Sequence, residues 1–556
     1  MTPSAPSVST TSRRWLILLL LLTAVLAWFG NLEYRKLVHP DEGRYAEISR
    51  EMVASGDWLT PHLNGLKYFE KPALQYWATA TAFKLFGEHH WTARLWSALT
   101  GFLGILLIYF TGRKLFGPEA GLYAALVLGS SLLYVLIGHL NTLDMGVTFF
   151  MTLGMCGLLL AQRNGATARE TRNWMWVAAA AMGLAVLSKG LIGLVLPGAV
   201  LVIYMLVQRD FSLLRRLHLI SGLLIFLAVC APWFIAVSLT NPEFFNFFFI
   251  HEHFERFLTK GHGRYQPWYY FVPILLLGVL PWLGVIFDAL IRAWKQGEVA
   301  ARFHPQRFLL IWAVFIYFFF SISGSKLPSY ILPILPALSL LAGQRLAQMK
   351  SAALFWHILP NVLLAIIYLV FATQMEGLLG NERVPAKLYA DYSQWVIAAA
   401  LVWLVAALLA LYQNYRGTKQ SAIIALALGG LIASQLTLTG HETLSREKTG
   451  YYLAQEISPH LKADAPFYSV GLYEQTLPFY LKRTVTLVIY QDEMAFGIRQ
   501  EPEKFLPDLA SFTRVWREQP QAFAIMSPQT YTQLQAEGLP MKKIAGNIEH
   551  TVVMKP

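Results

Sequence analysis

Two neighbouring carboxylates, Asp41 and Glu42, precede Arg44 in "HPDEGRYAEISREM", a stretch that begins at His39 just past the first long apolar run. A carboxylate beside a fixed cation can take a proton from an attacking hydroxyl, hold a substrate ammonium, or stabilise positive charge developing on a reacting carbon. The same residues also make an ordinary helix start. Acidic side chains in a first turn after a proline are favoured by the helix dipole, and Arg44 lies at i+3 from Asp41, within reach of an intrahelical ion pair. The motif alone leaves both readings open.

Other reactive side chains recur in short polar stretches between apolar runs. "KYFEKPALQYW" carries Tyr68, Glu70 and Lys71; "GHLNTLDMG" carries Asp144; Lys189 interrupts "VLSKGLIG". "FFIHEHFERFLTKGHGRYQPWYY" carries His251, His253 and Arg256, and "SGSKLPSYILPILP" carries Lys326 and Tyr330. Asp144 and Lys189 stand out because their flanks are almost wholly apolar. An ionisable group at a membrane boundary is costly unless it is paired or faces a wet cavity. The two either pair with each other or share a cavity with the remaining loops, and the number of loops offering charge favours the cavity. Lys71, Lys189, Arg256 and Lys326 are the cations available to a phosphate, with Arg44 adjoining the carboxylates. His251 and His253 could bind a divalent metal such as zinc, with Glu70 as third ligand, if the chain there is extended. On a helix the two positions diverge by about 160–200°.

What must position these groups is a membrane. Of 556 residues, 55% are hydrophobic and only 14% charged, against about a quarter charged in a soluble protein. Apolar runs near twenty residues recur, the length that crosses a hydrocarbon core of roughly 30 Å at about 1.5 Å per residue. Barrel strands are shorter and alternate. The expected fold is therefore an α-helical polytopic membrane protein with about thirteen spans. They fall at 15–33, 92–112, 118–137, 143–161, 174–188, 191–207, 218–239, 267–290, 308–323, 328–346, 353–372, 394–412 and 421–438. The first follows Arg13-Arg14 without a small-x-small cleavage site and reads as a retained helix.

Lysine and arginine clusters fall in every second connection, which places the N-terminus and those loops in the cytoplasm. All the reactive stretches then share the opposite face. The same bias explains the formal net charge of +12 and calls for no nucleic acid. Two stretches of the first outer loop, 41–55 and 72–86, are predicted as interfacial helices; the second is only about 22 Å long. After residue 439 the composition changes. "FYSVGL", "TVTLVI" and "AFAIMS" read as short buried strands, with helices near Glu474–Leu481 and Glu501–Arg517. This predicts a small outer α/β domain over 440–556 beside a transmembrane domain over 1–439. Cys156 and Cys230 both lie in apolar runs and form no disulfide framework.

An Asp-Glu pair after the first helix, an "FEKPALQYW" segment, many spans and a small external tail together resemble the GT-C glycosyltransferases that use polyprenyl-phosphate-linked sugars. "HPDEGRYAEISREMVASGDWLTPHLNGLKYFEKPALQYW" with "GSKLPSYILPILP" is similar, within that class, to the bacterial 4-amino-4-deoxy-L-arabinose transferases of lipid A. The similarity spans essentially the whole chain. It implies an undecaprenyl-phosphate aminoarabinose donor, a lipid A phosphate acceptor, inversion at the sugar carbon, and a periplasm-facing site in the inner membrane. Such a modification of lipid A confers resistance to polymyxin and other cationic peptides. The resemblance puts the catalytic carboxylate on Asp41, a second acidic residue on Asp144, and donor-phosphate contact on Lys71 and other basic residues. Glu42, Arg44, Tyr68, Lys189, Arg256, Lys326 and Tyr330 complete the expected substrate-binding set. One rival is a protein O-mannosyltransferase of the same fold, which the acceptor would distinguish. The other is a secondary transporter, against which stand the gathering of charge at one face and the lack of an inverted repeat.

Overall fold

The computed structural model describes residues 22–255, 266–295, 303–380 and 384–556, with backbone only over 251–255. Among the described residues eight helices are long and apolar enough to cross a bilayer, and two bent pairs, Pro118–Ser130 with Leu132–Gly138 and Phe271–Gly278 with Leu283–Ala293, raise this to ten. The other three expected spans are met differently. Residues of 15–33 are described only from 22 onward, helical through Phe29. Helices Ala168–Lys189 and Ile192–Gln208 form, but the first is too polar and the second too short to count by length and hydropathy. Large apolar side chains such as Ile220, Leu239, Ile291, Ile322 and Trp356 point outward from the bundle. In water such a surface would aggregate; in lipid it is the solvated face. The chain is a multi-pass membrane protein.

The first loop folds as its residues dictate. Asp41 and Glu42 open helix Asp41–Ser55, and Gly56 closes it at φ 74°, donating its N–H to the Met52 carbonyl. Helix Leu74–Phe86 follows, two residues later than its predicted start. The predicted turn at Lys189 also forms. Gly190 adopts φ 89°, which a residue with a Cβ would resist, and the chain reverses into Ile192–Gln208.

The tail is a six-stranded sheet, twice the number of strands expected. Its order is Phe505–Leu506, Thr486–Val488, Phe467–Val470, Phe523–Met526, Thr551–Met554 and Lys542–Gly546. The first four strands run parallel; the last two return as an antiparallel hairpin. Central strands Phe467–Val470 and Phe523–Met526 are buried along their whole length, as uninterrupted apolar strands between two layers must be. The expected helices contract to Leu477–Leu481 and Leu509–Glu518, the latter capped by the Asp508 carboxylate on the Ser511 N–H.

This domain sits on the first loop. Asn64 exchanges two hydrogen bonds of 2.7 Å with the Val485 backbone, Tyr480 Oη accepts the Leu37 N–H at 2.9 Å, and Lys504 Nζ donates to the Gly65 carbonyl at 2.7 Å. Gly43, the glycine of "PDEGR", is one place where the two pack closely. A Cβ there would lie 2.7 Å from the Gln475 carbonyl and 2.5 Å from the Thr476 methyl.

Candidate active site

Five elements meet around a cavity of about 220 Å³. Helix Asp41–Ser55 contributes Asp41, Arg44 and Tyr45, and the following loop contributes Glu70 and Lys71. Helix Leu143–Gln162 contributes Asp144 from its first turn; helix Ala168–Lys189 contributes Lys189 from its last. The segment after Pro305–Ile322 closes the ring with Ser323, Ser325, Ser329 and Tyr330. Between these polar groups the lining is completed by Val147, Met151, Ile192, Leu196, Phe319, Phe320 and Pro333, all from membrane helices or their ends, and Phe320 packs against the Tyr330 ring. The cavity wall is thus part polar and part hydrocarbon-like.

Asp144 and Lys189 pair at 2.5 Å, the acid at a helix N-terminus and the base at a neighbouring C-terminus, so each charge also sits at the favourable end of its own helix dipole. Lys189 Nζ lies 4.9 Å from the centre of the Tyr330 ring. The two readings of this pair were not alternatives: the residues pair and line the cavity together. Lys71 Nζ donates to the Glu70 carbonyl at 2.7 Å and stands 4.0 Å from the Glu70 carboxylate. Arg44 reaches Asp41 Oδ1 with one terminal nitrogen and Glu493 Oε1, in the tail, with the other, both at 3.3 Å. Asp41 keeps 37% of its side chain exposed.

Three expected site residues do not line the cavity. Glu42 is 3% exposed and bound through both oxygens by Arg94, at 2.7 and 2.8 Å. Arg94 spends its remaining N–H groups on the carbonyls of Leu32, Arg35 and Lys36, so all five donors are used. Glu42 also accepts the Asn141 N–H at 2.9 Å, and Asn141 in turn accepts from Gln75 at 2.9 Å. Burial alone would raise the Glu42 carboxyl, but the Arg94 charge and hydrogen bonds, with Arg35 and the Asn141 N–H, hold it down at about 2. Its task is to fix helix Asp41–Ser55 against the turn that launches Asp144. Lys326 donates two of its three N–H groups to the carbonyls of Gln266 at 2.8 Å and Ser323 at 2.5 Å, tying the segment after helix Pro305–Ile322 to Gln266. Tyr68 is buried beneath the cavity; burial, with the Glu70 charge, pushes its phenol well above the ordinary range and keeps it neutral.

Arg256 lies outside the described residues, as do the side chains of His251 and His253. Their backbone belongs to the helical segment Asn246–Glu255, in which positions two apart fall on different faces. Among the described residues no three His, Cys, Asp or Glu side chains converge on a metal-sized site. Two participants escaped sequence reasoning. Tyr45 carries no signal beyond its place one residue after Arg44, and Glu493 lies in a tail segment with nothing to connect it to the first loop.

Comparison with known proteins places this architecture. Residues 453–555 match the model of the aminoarabinose transferase C-terminal domain, and residues 14–251 match that of dolichyl-phosphate-mannose-protein mannosyltransferase. The undecaprenyl phosphate-α-4-amino-4-deoxy-L-arabinose arabinosyl transferase of Edwardsiella ictaluri is 35% identical over 451 residues, 79% of each chain. The crystal structure of ArnT from Cupriavidus metallidurans bound to undecaprenyl phosphate superposes with a TM-score of 0.93 at 40% identity, covering 98% of both chains. The apo oligosaccharyltransferase of Archaeoglobus fulgidus shares the fold, with a TM-score of 0.52 at 14% identity over 94% of this chain and 70% of its own.

Proposed function

The chain belongs to the undecaprenyl phosphate-α-4-amino-4-deoxy-L-arabinose arabinosyl transferases, and we propose that it delivers the aminoarabinose to a phosphate of lipid A in this cavity, at the periplasmic face of the inner membrane. The observation that carries the reading is the mixed character of the cavity wall. A polyprenyl phosphate sugar has a hydrocarbon chain, an anionic bridge and a polar head, and the cavity offers Phe319, Phe320, Leu196 and Met151 for the first and Lys71, Arg44 and Lys189 for the second.

In the reaction an oxygen of the acceptor phosphate attacks the anomeric carbon, the bond from that carbon to the polyprenyl phosphate oxygen breaks, and the leaving phosphate keeps the electron pair. One displacement inverts the carbon. The leaving group has a second pKa near 6, so it departs without a general acid; its added negative charge is met by cations already in place. We assign Arg44 and Lys71 to that phosphate.

Asp41 has a different task. The acceptor phosphate is an anion at neutral pH and needs no deprotonation, so the step calls for no general base. Asp41 is suited instead to positive charge, either the 4-ammonium of the sugar or the charge that develops on the anomeric carbon. A divalent ion held by Glu70 with His251 or His253 would add electrostatic stabilisation. Metal content and transfer after chelation and re-addition test that part.

The experiment for the whole reading is mass spectrometry of lipid A from cells with and without this protein. A mass increase of one aminoarabinose per modified phosphate is expected. An unchanged lipid A alongside a glycosylated peptide would shift the acceptor to protein.

A further inference from the structure

We propose that Glu493, in the C-terminal domain, is a positioning residue of the active site: it holds the Arg44 guanidinium at the cavity from outside the membrane domain. The proposal rests on the assignment of Arg44 to the donor phosphate. Arg44 has two hydrogen-bond partners, Asp41 on its own helix and Glu493 449 residues away. Its side chain is buried, yet a guanidinium held at one terminal nitrogen alone, by a 3.3 Å contact, is still free to turn about that contact. The second anchor removes that freedom before substrate arrives, which is the physical content of preorganisation.

Glu493 is built for this. Its Oε1 accepts from Gln475 Nε2 as well as from Arg44, and its Oε2 accepts from the Tyr490 hydroxyl at 2.9 Å. Gln475 and Tyr490 both belong to the tail, and the Glu493 side chain is only 10% exposed. The carboxylate is therefore fixed by its own domain, independently of Arg44. The Gln475 backbone is also what packs on Gly43, one residue before Arg44, so the same loop sets both the height of the helix and the aim of the guanidinium.

The competing account is that the Arg44–Glu493 bridge merely docks the tail. Docking has shorter contacts elsewhere, at Asn64–Val485 and Lys504–Gly65, and none of those residues lines the cavity. The 3.3 Å bridge, by contrast, ends on a cavity residue.

The test uses the purified full-length protein in detergent, with a short-chain polyprenyl phosphate as binding probe and donor KM and kcat as kinetic readouts. Glu493→Gln is expected to weaken probe binding and raise donor KM about ten-fold, with kcat reduced less, and Glu493→Asp to recover part of the loss. In an Arg44→Ala background Glu493→Gln should cause no further loss, the signature of an effect transmitted through Arg44. Asn64→Ala, which breaks docking away from the cavity, should lower the Tm yet bind the probe within about two-fold of wild type. The proposal fails if Glu493→Gln binds like wild type, if its loss persists undiminished in Arg44→Ala, or if Asn64→Ala reproduces it. Wild-type binding by Arg44→Ala alone would instead overturn the assignment of Arg44 to the phosphate, and the proposal with it.

Discussion

Asp41 and Glu42 are adjacent, both acidic, both paired to an arginine, and they belong to different regions of the molecule. Asp41 faces the cavity and shares a single 3.3 Å contact with Arg44. Glu42 faces the interior, where Arg94 and Asn141 take up both its oxygens. One step of about 100° around a helix separates a carboxylate available to substrate from one locked into the frame. Charge in a loop between a membrane protein's helices is thus of two kinds. A loosely held charge can act on a ligand, whereas a fully bonded one sets the distance between the elements that carry the first kind.

Substitutions can break this contrast. The largest effect is expected from Asp41→Asn, which should cut transfer about a thousand-fold or more with an unchanged Tm in detergent. Assayed with a donor lacking the 4-amino group, the same variant sharpens the role: a much smaller relative loss assigns Asp41 to the ammonium, and an equal loss assigns it to the reacting carbon. Glu42→Ala should do the reverse. It strands a buried Arg94 and should cost about 3–5 kcal/mol of stability, read as a collapse of the folded fraction before any kinetic constant can be measured.

The Glu42 pair also predicts a pH signature. Its folded value, about 2, lies below the ordinary 4.5, so its stabilisation is complete above about 4.5 and is lost as the pH falls toward 2. Thermal unfolding from pH 7 down to 3 should show this acid loss in wild type, and any Glu42→Gln protein that folds should lack that component. Gly43→Ala should have the smallest effect, about 1–3 kcal/mol from overpacking against Gln475 and Thr476. It should loosen the tail and should lower activity through donor KM before it lowers Tm severely.

Much of this was legible from residues. Apolar length and lysine–arginine asymmetry gave the helical bundle and its loops. Glycine and proline marked the ends of helix Leu74–Phe86 and the turn after Lys189. Asp144 and Lys189 could be recognised because nothing around them tolerates an unpaired charge. The contrast between Asp41 and Glu42 could not be read, since it depends on Arg94 arriving from helix His90–Phe116, and no local pattern records that. Lys326 misled for a related reason: a lysine in an apolar neighbourhood announces a polar partner, but not whether that partner is a ligand or two carbonyls. The tail's short strands were half visible. Lys542–Gly546 was missed because it lies at the sheet edge, where the pattern is partly polar, and Thr551–Met554, buried between it and Phe523–Met526, because it is only four residues long. The contact from Glu493 to Arg44 joins segments with no shared periodicity, so only the folded chain reveals it.

The docking of the tail on the first loop also sets an order of events. Asp41 and Arg44 are synthesised near the beginning of the chain, and Gln475, Tyr490 and Glu493 near its end, with the whole helical bundle in between. A chain interrupted after its last membrane helix has its spans and its apolar groove, yet Gly43 has no lid and Arg44 no second anchor. Competence to handle a reactive lipid-linked sugar therefore comes last, once the far end of the polypeptide has closed over the near one.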